Sequence, residues 1–264
     1  MHNFVGFNHQ IIPAETAFLS AFSAAALYGR GIFTTVAVYN SKPFLWEKHW
    51  RRLIENSQKI GMYLSEFSEE TVENQLSEII IKNNFTRGRA RLTFFDESQT
   101  SLWQTNSKRK TNLLVQTGNF RKIKNNLRLT ISPFRVNSTS PLAGIKSCNY
   151  LENILSLEDA KVKGFDEAIR LNEKGEIVSA CLANLFWRKG VGIFTPSLET
   201  GCLEGTTREF VLENFTVGER KAELKELEKA DEFFLTSAGI EVVKAVVDFK
   251  TGNASKGERI KDKG

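Results

Sequence analysis

PLAGIKSCNYLENILSLEDAKVKGFDEAIRLNEKGEIVSACLANLFW, residues 141–187, is the stretch on which the reading of this chain turns. It opens on a small-residue loop, Pro141 to Gly144, that delivers Lys146 just ahead of an amphipathic segment. Leu151, Ile154, Leu155, Leu157 and Val162 recur at helical spacing and predict a helix over Asn149 to Lys163. Gly164 ends it, because glycine takes the left-handed conformation that a helix C-terminus often needs. Ala168 to Leu171 then reads as a strand, Asn172 to Gly175 as a tight turn, and Ile177-Val178 as the return strand.

Composition sets the outer bounds. At 264 residues the chain is one large or two modest domains, with enough mass to bury a core. Its 41% hydrophobic and 25% charged residues are those of an ordinary globular protein. No apolar run approaches the roughly 20 residues a membrane crossing requires. The N-terminus lacks a basic segment followed by an apolar one, so no export signal is read and a cytoplasmic location is expected. Cys148, Cys181 and Cys202 fit neither a zinc site nor a disulfide framework, and no metal is expected. The net charge of +5 is mild and, apart from runs at Lys108 to Lys110 and Arg121 to Lys124, scattered. That argues against a nucleic-acid surface.

Upstream, Phe4 to Ile12 reads as an opening hairpin, and the apolar, alanine-rich Glu15 to Leu27 as a helix or a buried connection. Val36 to Trp46 alternates around a polar turn, as a hairpin does. Glu47 to Ile60 carries the apolar stripe of a helix, and Ser68 to Asn84 is a second helix with Ser68 as N-cap. Strands are expected at Arg89 to Phe95 and Leu113 to Gln116, with a polar loop between them whose Trp103 is either a lid aromatic or a local anchor. The polar, basic segment Asn119 to Asn126 is placed as an inter-domain connection. Further on come a strand over Val191 to Pro196, a helix starting near Thr206, a helical Leu224 to Ala230, a strand over Glu232 to Thr236, and a tail from Gly252.

A lysine is ordinarily a solvated charge, and an arginine on a helix ordinarily a surface one. Context changes both readings. The order G-I-K-x-x-N-Y, D-E-A-I-x-L, N-E-x-G-x-I-V and A-N-L-F-W resembles the fold type IV pyridoxal 5'-phosphate (PLP) enzymes, which include branched-chain and D-amino-acid aminotransferases and aminodeoxychorismate lyase. The resemblance implies an α/β (α+β) fold of two domains. These are a smaller N-terminal α/β domain over 1–118 and, beyond the connection at 119–126, a larger β-barrel-like cofactor domain with helices over 127–264.

It also implies residue roles. Lys146 carries PLP as a Schiff base, and Tyr150 contacts the ring hydroxyl, although it follows the lysine one residue sooner than in the branched-chain enzymes. His49-Trp-Arg-Arg-Leu resembles a signature whose arginine before the leucine, here Arg52, grips the phosphate; Arg51 faces elsewhere. A guanidinium that donates two hydrogen bonds at once suits a dianionic phosphate. Gly205-Thr-Thr-Arg208 resembles the turn that supplies amides and hydroxyls to the same phosphate, implicating Thr206 and Thr207 at a helix start. Tyr28, Thr35, Ser237 and Ala238 match positions around the substrate.

Two positions depart from the family pattern. Where it has a glutamate that keeps the pyridine nitrogen protonated, this chain has Ser179, whose hydroxyl cannot hold a pyridinium by charge. Transamination should suffer most, and an elimination driven by aromatisation less. Together with Phe33-Thr-Thr35, this points to the lyase branch, which converts 4-amino-4-deoxychorismate to 4-aminobenzoate and pyruvate in folate synthesis. A D-amino or branched-chain aminotransferase and an inactive relative are the other two readings. The second departure is Arg30 in place of an aspartate, facing either the pocket or a subunit contact. The family closes its site with a neighbouring subunit, and the apolar Phe18 to Phe33 suits burial between partners. A homodimer with contacts around Tyr28 to Thr35 is therefore expected.

Overall fold

The structure is a computed structural model that describes residues 2–99, 109–120 and 123–249. Trp103 and the tail from Gly252 lie outside the described residues.

The first sheet has six strands in the order β2-β1-β6-β5-β3-β4. The strands are β1 (Phe4–Phe7), β2 (Gln10–Pro13), β3 (Gly31–Tyr39), β4 (Lys42–Pro43), β5 (Gly88–Asp96) and β6 (Thr111–Asn119). All its pairings are antiparallel. Asn40 and Ser41 both have positive φ, the conformation of a two-residue turn whose twist suits a hairpin. That turn leaves β4 only two residues, because Trp46 already opens a helix.

Two helices cover this sheet. α2 (Trp46–Lys59) packs on β3, and α3 (Glu69–Lys82) on β1; a short α1 (Ala24–Tyr28) precedes β3. Ser68 caps α3 as its sequence promised: its hydroxyl accepts the Thr71 amide while Thr71 Oγ1 accepts the Ser68 amide. Leu53, Leu76, Ile79, Leu92, Phe94 and Leu113 meet in the core between them.

The second sheet has eight strands in the order β12-β11-β10-β13-β14-β7-β8-β9. Its members are β7 (Asn126–Ile131), β8 (Glu167–Leu171), β9 (Ile177–Ala180), β10 (Asn184–Lys189), β11 (Gly192–Pro196), β12 (Val217–Arg220), β13 (Glu232–Ser237) and β14 (Glu241–Val247). It curls until its ends meet: the Ile177 amide donates to the Ala222 carbonyl at 2.8 Å, just past β12. Leu129, Ile169, Leu185, Trp187 and Leu235 fill the curl. β14 lies between antiparallel β13 and parallel β7, so one strand joins the two halves. α4 (Leu151–Val162) packs on β8, α5 (Thr206–Asn214) on β13, and α6 (Leu224–Leu227) precedes β13.

Two expectations need correction. The segment Glu15 to Leu27 is neither one helix nor buried: a 3-10 turn and five-residue α1 leave Phe18 78% and Phe22 70% exposed. The helix over 149–163 forms, but most of its apolar stripe stays out of the core: only Ser156 and Ala160 are buried, Val162 is exposed, and Leu151, Ile154 and Leu157 border the cavity described below. Periodicity reports that a helix has two faces; here the small face packs on β8, because Ala160 admits Phe165 and Ala168 closely. No helix among the described residues is long and apolar enough to cross a membrane.

Candidate active site

Lys146 sits where the two sheets meet. The loop before α4 adds itself to the free edge of β3: Phe33 donates its amide to the Lys146 carbonyl at 2.9 Å, and Cys148 to the Gly31 carbonyl at 2.8 Å. This backbone clamp fixes the lysine's position and aims it into a cavity of about 820 Å³. Its Nζ lies 4.6 Å from the centre of the Phe33 ring and 3.4 Å from the Tyr150 hydroxyl. Burial, then the positive charges of Arg52 and Arg91, push the Lys146 amine down to about 7. An amine that is partly neutral at that pH can act as nucleophile and as base. Tyr150, the N-cap of α4, packs edge-on against Phe33, and burial pushes its hydroxyl up to about 12, so it remains a donor.

On the α2 side of the cavity, that helix presents His49 and Arg52 on one face, three residues apart. Arg52 is 9% exposed; it donates to Thr34 Oγ1 at 2.7 Å and to the Glu204 carbonyl at 3.1 Å, while its Nε is buried without a partner. Burial pushes its guanidinium down to about 10, still positive at neutral pH. His49 continues the chain: Nδ1 pairs with Thr34 Oγ1 at 2.6 Å and Nε2 with Thr206 Oγ1 at 3.3 Å. Burial, then Arg52 and Lys146, hold this imidazole neutral. α2 of one layer is thereby tied to the start of α5 in the other.

The turn into α5 is held from β10. Asn184 donates to the Leu203 carbonyl at 2.8 Å, and a Cβ at Gly205 would come within 2.0 Å of Asn184 Oδ1. Any larger residue would have to displace the Asn184 side chain that holds the turn, and Gly205's place as N-cap, with no side-chain cap, leaves the first amides of α5 unspent.

Arg52, Lys146, Tyr150, Ser179, Thr206, Thr207, Thr35, Ser237 and Ala238 all line this one cavity. Tyr28 does not: it is 43% exposed at the end of α1. Arg30 does not either; it lies against Asp96 at 3.9 Å, away from the lining residues. Arg51 points out of the cavity and pairs with Glu209 on α5. Several lining or supporting groups went unassigned from sequence. Arg89 and Arg91 reach the cavity from β5, alternating with buried Ala90 and Leu92. That alternation was the available signal. Thr34 and His49 act through bonds between distant elements; His49 stands in the motif that points to Arg52, but the motif does not reveal its bonds to Thr34 and Thr206. The three cysteines are unpaired, and no group of His, Cys, Asp and Glu among the described residues could hold a metal.

The arrangement fits PLP. A cavity lysine with a depressed pKa faces a tyrosine hydroxyl, and the unpartnered Arg52 Nε and the start of α5 mark an anion site nearby. Comparisons with known proteins agree. The family model for amino-transferase class IV matches residues 31–246. An aminodeoxychorismate lyase of Bacillus subtilis is 29% identical over 89% of this chain and 83% of its own. A probable branched-chain-amino-acid aminotransferase of Rickettsia felis is 25% identical over 90% and 84%. Among solved structures, a branched-chain aminotransferase of Thermoproteus uzoniensis superposes with a TM-score of 0.88 at 23% identity, covering 97% of this chain and 91% of that one. A putative 4-amino-4-deoxychorismate lyase of Legionella pneumophila gives 0.82 at 27%, covering 89% and 88%. The matched span takes in the clamp on Lys146, the Arg52 network and the start of α5, and the chain belongs to the class IV aminotransferases, the fold type IV enzymes that use PLP.

Proposed function

We propose that this enzyme is an aminodeoxychorismate lyase, with Lys146 as its catalytic base and acid. The observation that carries the reading is Ser179, a hydroxyl on the β9 wall of the cavity where a glutamate would favour transamination. The 29% identity to the Bacillus subtilis lyase points the same way.

Bound here, PLP supplies an aldehyde for the substrate amine and a ring that draws electrons from the carbon bearing it. Arg52, the amides opening α5 and the hydroxyls of Thr206 and Thr207 hold the phosphate, and Tyr150 donates to the ring hydroxyl. Lys146 Nζ takes the proton from the amine-bearing ring carbon. The bond from the adjacent carbon to the enolpyruvyl oxygen breaks, the ring becomes aromatic, and Lys146 returns the proton to the enolpyruvate methylene carbon, giving 4-aminobenzoate and pyruvate. The substrate carries two carboxylates, and Arg89, Arg91 and the Ser237-Ala238 turn stand at the cavity wall to receive them.

The two-domain division at 119–126 and a homodimer belong to the same proposal. Phe18, Leu19, Phe22, Leu27 and Tyr28 are all exposed in the segment before Gly29, more apolar surface than one copy covers, and a second copy would bury it. Light scattering that finds a fully active species at 29.8 kDa would refute the dimer. Purified protein given 4-amino-4-deoxychorismate should release pyruvate and 4-aminobenzoate in equal amounts. Turnover of branched-chain or D-amino acids with 2-oxoglutarate, and none of the chorismate derivative, would overturn the lyase reading.

A further inference from the structure

Lysine, tyrosine and phosphate grip leave one wall of the cavity without an assigned partner, the wall made by β8 and β9. Antiparallel pairing sets Arg170 directly opposite Ser179. Directly opposed residues project to the same face of a sheet, and both line the cavity. Arg170 is 4% exposed. A cation so buried needs partners. The carboxylate it reaches, Glu152 at 3.3 Å, has a side chain 73% exposed and holds it only loosely. Its Nε is buried with no partner at all.

The other acid of this wall is already engaged. Glu167 alternates away from Arg170 along β8, and its carboxylate accepts the Cys181 amide at 2.9 Å as well as the amides of Leu182 and Ala168. Tyr150 is committed to the lysine end.

We infer that Arg170, with the Ser179 hydroxyl beside it, faces the pyridine nitrogen of the bound cofactor and holds that nitrogen unprotonated. A guanidinium has five donors, no acceptor, and keeps its charge at neutral pH. A ring nitrogen opposite it accepts a hydrogen bond, and a proton placed there would set two positive charges side by side. The ring would then withdraw electrons less strongly. A reaction that passes negative charge straight to a leaving group tolerates this better than one that stores charge on the ring. The inference rests on the proposed cofactor site, not on the choice between lyase and aminotransferase.

Two measurements test it. Apoprotein is titrated with PLP and with the analogue in which C–H replaces the ring nitrogen. The unsubstituted protein should prefer PLP by about tenfold to a hundredfold, the range set by a hydrogen bond from a charged donor. Arg170→Met should cut that preference to about threefold or less. Second, the nitrogen-15 resonance of ring-labelled PLP bound to the unsubstituted protein should be that of an unprotonated pyridine across neutral pH, a result that depends on no variant folding. A pyridinium resonance, or equal affinity for the two ligands, overturns the inference. So does a resonance that moves with Glu167→Gln and not with Arg170→Met, which would give the nitrogen to Glu167. Failure of both ligands to bind, or attachment to a lysine other than Lys146, removes the cofactor site itself and this inference with it.

Discussion

The two ends of the cavity are built by different means. At the phosphate end a chain of side chains runs Arg52, Thr34, His49, Thr206 through three elements of two layers, each link within hydrogen-bond reach. At the ring end, a cross-strand pair, Arg170 and Ser179, is fixed by backbone register and has polar atoms to spare. The first is a connected network that should respond to change as a unit, with only Arg52 Nε left over; the second is a pair whose guanidinium has little else to hold it.

The largest expected effect breaks both ends at once. Lys146→Ala should abolish covalent attachment: the protein loses its yellow colour, and borohydride reduction leaves no adduct. Mapping of an adduct to another lysine in the unsubstituted protein would end the assignment. The same residue gives a pH signature. The amine is held near 7, so it is mostly protonated and unreactive below that pH. Covalent loading followed by absorbance should rise about tenfold per pH unit up to pH 7 and flatten above it. A profile still rising at pH 9 would show the amine has an ordinary pKa. The linked stability effect has the opposite sense to a salt bridge. Because the folded pKa lies below the unfolded one, apoprotein stability should climb from about pH 7 to 10.5 as the unfolded chain gives up its proton.

Arg52→Ala tests the phosphate end alone. It should weaken PLP binding by about 1.5–3 kcal/mol, the worth of a hydrogen bond to a charged group. His49→Ala should have a smaller effect, about 1–2 kcal/mol of apoprotein stability, because the buried hydroxyls of Thr34 and Thr206 each lose a bond, Thr34 keeping the one from Arg52. If its melting temperature is unchanged while PLP affinity falls, His49 positions the grip without bracing the fold. Arg51→Ala should matter least, since that side chain is 52% exposed and bonds only across the surface to Glu209. Matching losses from Arg51 and Arg52 would mean the helix presents a different face to the ligand.

What the sequence disclosed follows the same divide. Helix and strand positions were legible wherever burial imposes a period: α2, α3, β5 and the β8–β9 hairpin all stand close to their expected bounds. Lys146, Arg52, Thr206 and Thr207 could be singled out because they sit in short ordered motifs, and the fold brings all four to one cavity. Arg170 was not, because its meaning comes from the residue opposite it, and pairing register is not written in one strand alone. Phe18 and Phe22 misled for another reason. Hydrophobicity says that a side chain leaves water, but not whether its own chain or another covers it.

β14 has a consequence for how the molecule is made. It is the last strand among the described residues, yet it stands in the middle of the second sheet, between β13 and β7. Until Glu241 to Val247 leave the ribosome, the halves β12-β11-β10-β13 and β7-β8-β9 each present a bare inner edge, and β7 waits more than a hundred residues for its partner. The β1–β6 sheet has no such debt and can close during synthesis. The cofactor-bearing half should therefore be the late, slow and aggregation-exposed step of biogenesis, and chains stopped short of β14 should be natural clients of chaperones.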